Sequence, residues 1–337
     1  MKKLLPAIKF ILFLSVAAGL MYLALRGIDL KDLIVKLEQA RYGYVFLSLF
    51  PAMLAFASRA WRWKMLLHPL GHKPGFSNTF YALMFGYLAN LALPRLGEVS
   101  RSVALNRAEK IPLDVIIGTV IAERAIDLLS LLLCIVLMLI LEFERIYSFL
   151  MVNLVDPVLE KMQSAIYSVY FVPALAVLVA AIVAVVIIRR RRKTTSTLTE
   201  RIIQFIKGIL AGLTSVTKVK NRSAFLFHSV FIWVMYWLVT YICFFSLDIT
   251  TALDFKAALF ILVVGGLGMT APVQGGFGAY HYLVSLGLLM YGIVRTDGAV
   301  YASIVHTSQT LLVVIVGTAS FLLLSRNQKR KLENVNA

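Results

Sequence analysis

The sequence predicts an all-α polytopic membrane protein, with about six full transmembrane helices and two re-entrant helical hairpins in an inverted repeat. Three observations predict it. The 337 residues are 60% hydrophobic and 15% charged, which fits a polytopic membrane chain and leaves no room for a soluble catalytic domain. Two apolar stretches are broken by the same P-x-x-G punctuation, GYLANLALPRLGEVSR at Gly86–Arg101 and GGLGMTAPVQGGFGAYHYL at Gly265–Leu283, with Pro94 and Pro272 separated by 178 residues. Lys and Arg are segregated between alternate connecting segments.

In chain order, full spans are expected at 7–25, 42–66, 113–141, 169–188, 223–246 and 299–324. Each is near the ~20 residues that a bilayer requires. The N-terminal stretch resembles a signal peptide, but Phe10–Leu25 is long for its apolar region and reads as a retained first span. The first re-entrant unit is 76–108: an apolar half-helix ends at Pro94, Gly97 allows a sharp turn, and a polar half-helix carrying Arg101, Asn106, Arg107, Glu109 and Lys110 returns. The second is 256–292, with an arm Ala257–Ala271 of 15 residues, roughly 22 Å of helix against a core of about 30 Å. Two ordinary hairpins that each happen to contain P-x-x-G remain the alternative.

With both termini cytoplasmic, the inside segments 1–9, 59–112, 189–222 and 325–337 hold 3, 8, 10 and 4 Lys or Arg, and the outside segments 26–41, 142–168, 247–255 and 293–298 hold 4, 2, 0 and 1. This bias orients the chain. The first hairpin then dips from the cytoplasm and the second from outside, so that a single membrane domain, 1–337, contains inverted repeats at approximately 1–141 and 169–324. The connector 189–222 begins with Arg189–Lys193 and continues with apolar residues at helical spacing from Ile202 to Val216. It reads as a cytoplasmic basic and amphipathic segment, lying on the inner leaflet or packed under the bundle. The formal charge of +17 is explained by loops facing anionic lipid; nucleic acid is not an expected partner.

Charges in the third span are costly and therefore informative. Glu123 lies ten residues after Leu113, about 15 Å into the core. Asp127 shares its face, and Arg124 is spaced to pair with Asp127. Arg95, Glu98 and Arg101 fall at the first break. Two arginines near glycine-rich backbone suit a phosphate, while a buried ion network that only locks the hairpin is the competing reading. At the second break, Gly275, Gly276 and Gly278 offer backbone N–H groups at the start of the returning half-helix, and Gln274 and His281 add hydrogen-bonding capacity. Glycine used for close helix packing is the alternative there. His306 and Gln309 in the last span are spaced to face the same region, but a satisfied helix–helix hydrogen bond is the favoured reading of them. Arg59, Trp61, Arg62, Trp63 and Lys64 read as ordinary interfacial residues. Cys134 and Cys243 read as buried apolar groups, not a disulfide or metal pair. No Walker loop, nucleophile–base spacing or His/Cys cluster stands out. No cofactor, metal or catalytic residue is therefore expected.

RAWRW, GYLANLALPRLGEVSR, AERAID and APVQGGFGAYHY, in this order, resemble the flippase-like family named after the membrane part of bacterial lysylphosphatidylglycerol synthase. The resemblance covers most of the chain. It implies a bacterial inner (plasma) membrane protein that binds and translocates a phospholipid or polyprenyl-phosphate-type lipid. The alternatives are a lipid-modifying transferase with Glu98 or Glu123 as base, and a non-transporting partner of an envelope-lipid enzyme. It matches Pro94, Arg95, Gly97 and Glu98 to one family motif, Glu123, Arg124 and Asp127 to another, and Gly275, Gly276 and Gly278 to a glycine turn. Gln274 and His281 depart from the family pattern, which often has Pro and an acidic residue there, so the lipid need not be a lysyl lipid. The expected substrate site is Arg95, Glu98, Arg101, Glu123, Arg124, Asp127, Gln274, Gly275, Gly276 and His281. An anionic or carrier lipid is the expected partner; a homo-oligomer and an envelope-enzyme partner stay open.

Overall fold

A computed structural model describes residues 4–151 and 219–336. All regular elements among these residues are helical. They are α1 (Leu4–Leu25), α2 (Leu30–Glu38), α3 (Tyr42–Leu67), α4 (Phe76–Ala92), α5 (Leu96–Glu109), α6 (Leu113–Leu141), α7 (Phe143–Leu150), α8 (Arg222–Phe244), α9 (Phe255–Thr270), α10 (Ala279–Leu289) and α11 (Arg295–Asn336), with short 3-10 turns at His68–Leu70, Asp248–Thr250 and Gln274–Gly276. The chain divides into two units, residues 1–141 with 209–337, and residues 142–208. Within the second unit, α7 carries an Arg145–Glu142 ion pair of 3.0 Å at its start. Everything below concerns the first unit. The expected span at 169–188 and the connector with Arg189–Lys193 lie outside the described residues.

Four helices among the described residues are long and apolar enough to cross a membrane: α3, α6, α8 and α11. The starts and ends of α3 and α8 fall within two residues of the expected spans and α6 coincides with 113–141, whereas α11 begins four residues before the expected 299 and runs on past 324 to Asn336. α6 shows why one helix can be both apolar and charged. Leu132, Leu133, Val136, Leu137 and Ile140 are exposed, whereas Glu123 is fully buried. The outward residues suit lipid, and the charged face turns into the bundle where partners exist.

Both expected breaks are present, and each has a local cause. α4 stops at Ala92; Leu93 is extended, and Pro94 is followed by Arg95 at φ 64°, after which α5 begins. The left-handed residue is thus Arg95 and not the glycine. Gly97, expected to make the turn, is helical, and its lack of a side chain serves close packing instead. A Cβ on the facing Gly86 would lie 2.8 Å from the Gly97 carbonyl oxygen and 2.9 Å from Arg101 Cβ. Asn90 accepts the Gly97 N–H at 2.7 Å, which satisfies one of the free donors at the start of α5. At the other end of the hairpin, Glu109 Oε1 accepts from Gly75 N–H (3.0 Å) and Asn78 Nδ2 (2.7 Å). The two arms are fastened at tip and base.

α9 is started by Asp254, whose side chain accepts from the N–H groups of Lys256 and Ala257. The chain then breaks through Ala271–Gly278, with Gly275, Gly276 and Gly278 all at positive φ. α9 and α10 pack closely because Gly265 and Gly268 leave room for Tyr280; Cβ atoms there would approach it to 2.7 and 2.8 Å. Glycine in this region serves close helix packing and, at Gly275, Gly276 and Gly278, the turn itself. The second break touches α4 just before the first: a Cβ on Gly275 would meet Leu91 Cδ2 at 2.7 Å. α2 was not foreseen. It is capped by Asp29 and held by Lys36, which bridges Asp32 (3.0 Å) and Asp297 at the start of α11 (2.7 Å).

Candidate functional site

The charged core of the first unit forms where α3, α5 and α6 pack together. The i, i+3 spacing of Arg59 and Arg62 puts both guanidiniums on one face of α3, and the i, i+4 spacing of Glu123 and Asp127 puts both carboxylates on the facing side of α6. Arg59 Nη2 donates to Glu123 Oε1 at 2.7 Å and to Asp127 Oδ2 at 2.5 Å. Arg62 Nη2 donates to Asp127 Oδ1 and lies 3.7 Å from Glu123 Oε1. Arg101 of α5 donates from Nη1 to Glu123 Oε2 at 2.8 Å. Arg59 Nη1 also donates to the Tyr236 hydroxyl of α8 at 3.3 Å.

Aromatic groups wall this cluster. The Arg101 guanidinium lies 4.8 Å from the Trp63 ring centre, and that of Arg59 lies 5.9 Å from Tyr87. Trp63 is fully buried and donates its indole N–H to Thr119 at 3.0 Å. Relative exposure is 0% for Glu123 and Arg62, 2% for Arg101 and 6% for Arg59. Three guanidiniums face two carboxylates, so one positive charge is uncompensated. Arg59 Nε, Arg62 Nε and Nη1, and Arg101 Nε and Nη2 are buried without a hydrogen-bond partner. Chemically this is a buried, aromatic-walled cluster with unused donors and spare positive charge, features that suit an oxyanion.

The sequence-predicted residues thus separate into groups. Arg101, Glu123 and Asp127 are in one cluster, with Arg101 paired to Glu123. Arg124 does not join them. The expected Arg124–Asp127 pair is absent, and the half-exposed Arg124 instead reaches Glu98 on α5, 3.6 Å away. The reason is directional: Arg124 sits one position aside from Glu123 and points toward the tip of the first hairpin, while the carboxylate face is taken by α3. Arg95 is exposed at that tip, and the Glu98 carboxylate belongs to Arg124.

Gln274, Gly275, Gly276 and His281 form a second group at the other break. The returning helix begins at Ala279, three residues later than Gly276. Its first free N–H groups are therefore not those of Gly275 and Gly276; the Gly276 N–H points to the Val273 carbonyl at 3.4 Å. His306 Nε2 donates to the Gly275 carbonyl at 2.8 Å, and the His281 and His306 ring centres are 4.8 Å apart. Phe277 and Tyr280 flank the two imidazoles.

Sequence reasoning missed Arg59 and Arg62, which it assigned to the interfacial belt. The signal was present in the matched spacings, R-x-x-R on α3 against E-x-x-x-D on α6. Among the described residues, no group of three or more His, Cys, Asp or Glu is placed to hold a metal ion.

These features can be set beside known proteins. A UPF0104 membrane protein of Methanocaldococcus jannaschii is 30% identical over 119 residues, 34% of this chain and 34% of that relative, so the likeness spans about a third of each. No solved structure matches the chain. The family pattern described as "Lysylphosphatidylglycerol synthase TM region" matches residues 10–317, which take in both breaks and the arginine–carboxylate cluster. The chain belongs to the family of the lysylphosphatidylglycerol synthase transmembrane region.

Proposed function

We propose that the protein binds the phosphate of a membrane lipid at Arg59, Arg62 and Arg101 and helps that lipid cross the bilayer, as a flippase-like carrier. One observation supports this above the rest: three buried guanidiniums share two carboxylates and leave five buried nitrogens unpartnered. An uncompensated charge removed from water costs several kcal/mol, and a phosphate oxyanion offsets both the charge and the missing acceptors. Arg95, exposed at the tip of the first hairpin, and the Glu98–Arg124 pair form the approach to this cluster.

The inverted arrangement belongs to the same reading. α4–α5 and α9–α10 are each a helix, a proline-containing break and a returning helix, and the second break meets α4 just before the first, Gly275 against Leu91. Opposed repeats with both termini cytoplasmic accommodate alternating access around a fixed site. In a cysteine-depleted background, Ile249→Cys is expected to label from outside and Lys110→Cys from inside; the reverse pattern overturns the orientation. A transferase is the second reading, carried by Glu98, whose Oε2 is buried and unpartnered. Glu123 is a poor base because Arg59 and Arg101 occupy both of its oxygens.

The test is Arg62→Gln. It removes the excess charge yet leaves Asp127 paired with Arg59, so the fold should hold. The purified variant is expected to retain at least tenfold less co-purifying phospholipid by native mass spectrometry, and to lose headgroup-labelled lipid transfer in vesicles. Unchanged lipid retention with the fold intact would reduce the cluster to a structural clasp.

A further inference from the structure

The second break collects buried polar atoms that lack partners and charges. His281 and His306 are 4% and 5% exposed, and Nδ1 of each has no hydrogen-bond partner. Both polar atoms of the Gln274 amide and Nε2 of Gln309 are likewise buried and unpartnered. Because His306 Nε2 donates to the Gly275 carbonyl, its neutral ring presents a bare lone pair at Nδ1. Gln274 immediately precedes Gly275, and Gln309 follows His306 by one helical turn. Among the described residues, no carboxylate, Lys or Arg is ion-paired or hydrogen-bonded to any of these four side chains.

This chemistry is the opposite of that at the first break. Guanidiniums select an anion. Imidazole lone pairs and carboxamides, which accept as well as donate, match hydroxyl groups, which do both. A cationic headgroup would enter with no counter-charge and lose its hydration. The two sets are joined by α4: Tyr87 lies beside Arg59, and Leu91, four residues and about 6 Å along the helix, lies against Gly275.

We propose that the second break binds the uncharged, hydroxyl-bearing part of the headgroup whose phosphate the arginines hold. The chain's lipid is therefore an anionic one with a polyol headgroup, not one with a cationic headgroup. This rests on the phosphate reading above and specifies its substrate class.

The test uses the full chain in neutral detergent and three probes with identical acyl chains: phosphatidylglycerol, phosphatidic acid and lysylphosphatidylglycerol. Apparent affinities are read by native mass spectrometry. Phosphatidylglycerol is expected to bind at least tenfold more tightly than phosphatidic acid, and lysylphosphatidylglycerol no more tightly than phosphatidylglycerol. His281→Phe and Gln274→Leu should each reduce the phosphatidylglycerol advantage to threefold or less while leaving phosphatidic acid affinity unchanged. Equal, tight binding of phosphatidylglycerol and phosphatidic acid by the unaltered chain overturns this proposal and leaves the phosphate reading standing. Tighter binding of the lysyl lipid also overturns it alone. Binding of none of the three overturns the phosphate reading and this proposal with it. The comparison within the unaltered chain decides the matter even where a variant fails to fold.

Discussion

Arg101 of the first hairpin donates to Glu123 Oε2 at 2.8 Å while the other oxygen of the same carboxylate accepts from Arg59, so a single buried side chain ties the returning half-helix α5 to the spanning helices α3 and α6. Arg101 is buried, and this shared carboxylate is what makes its charge tolerable there. The hairpin's position is therefore coupled to the charge state of the cluster.

That coupling predicts the behaviour of Glu123→Gln. It leaves Arg101 without its counter-charge and Arg59 with Asp127 alone, and breaking a buried pair by removing one partner costs about 3–5 kcal/mol. The melting midpoint in detergent is expected to fall markedly, and Arg101→Gln combined with Glu123→Gln to recover part of the loss. A double-mutant cycle measures the coupling; additive effects would show that the two side chains do not depend on each other.

Asn90→Ala tests the tip of the same hairpin. The Gly97 N–H would lose its acceptor, at a cost of about 1–3 kcal/mol for an unsatisfied buried group. Gly86→Ala forces a methyl against the Gly97 carbonyl and Arg101 Cβ, and overpacking of this kind costs about 1–3 kcal/mol. Both variants are expected to lower the midpoint and to increase protease sensitivity around Pro94–Arg95.

Arg95→Gly separates backbone from side chain. Arg95 holds φ 64°, which disfavours an L-residue by about 1–2 kcal/mol, a penalty that glycine escapes at some cost in unfolded-chain entropy. Stability is expected to be unchanged or slightly higher. If Arg95 guides lipid at the hairpin tip, the rate of labelled-lipid transfer falls several-fold in the same protein. Unchanged transfer would remove Arg95 from the site.

Lys36 offers a pH test outside the membrane. Hydrogen bonding to Asp297 and Asp32 holds its ammonium above the ordinary lysine value of 10.5. A pKa raised by folding contributes stability that is fully present below the unfolded value and is lost as pH rises through the folded one. The contact between α2 and α11 should therefore be insensitive to the lysine's titration up to about pH 10. Lys36→Met should lower the midpoint throughout that range and remove any further loss at higher pH that the unaltered chain shows.

Sequence and structure agree most closely where a residue's own chemistry forces the backbone. Pro94 and Pro272 each remove a backbone donor close to a glycine, a combination that ends a helix where Pro51 alone does not end α3, and a charge at Glu123 must find a partner at any register. Both were readable without coordinates. What could not be read was which charge meets which. Arg59 and Arg62 stand near the end of an apolar helix among tryptophans, a pattern that interfacial residues also produce; only the packing of α3 against α6 turns them inward. Arg124 looked like the partner of Asp127 because the two are neighbours in sequence, yet a helix from elsewhere in the chain supplied closer guanidiniums. Gly97 illustrates the same limit: its composition signalled a constraint, and the constraint proved to be another backbone rather than a turn. The Gln274 and His281 positions were legible as polar, but that no carboxylate among the described residues pairs with them needed the fold.

Gly278 has a consequence for the first helix. Its missing side chain leaves space that the α1 backbone fills: a Cβ there would approach Ala17 O and Met21 N to 2.6 Å, and Ala17 packs with Val273 and Ala279. α1 is thus a wall of the second break: through Ala17, Leu20 and Met21 it covers the turn at Val273–Gly278, so a protease cut that released this helix would bare the apolar side of that turn and remove the close backbone contact that Gly278 permits.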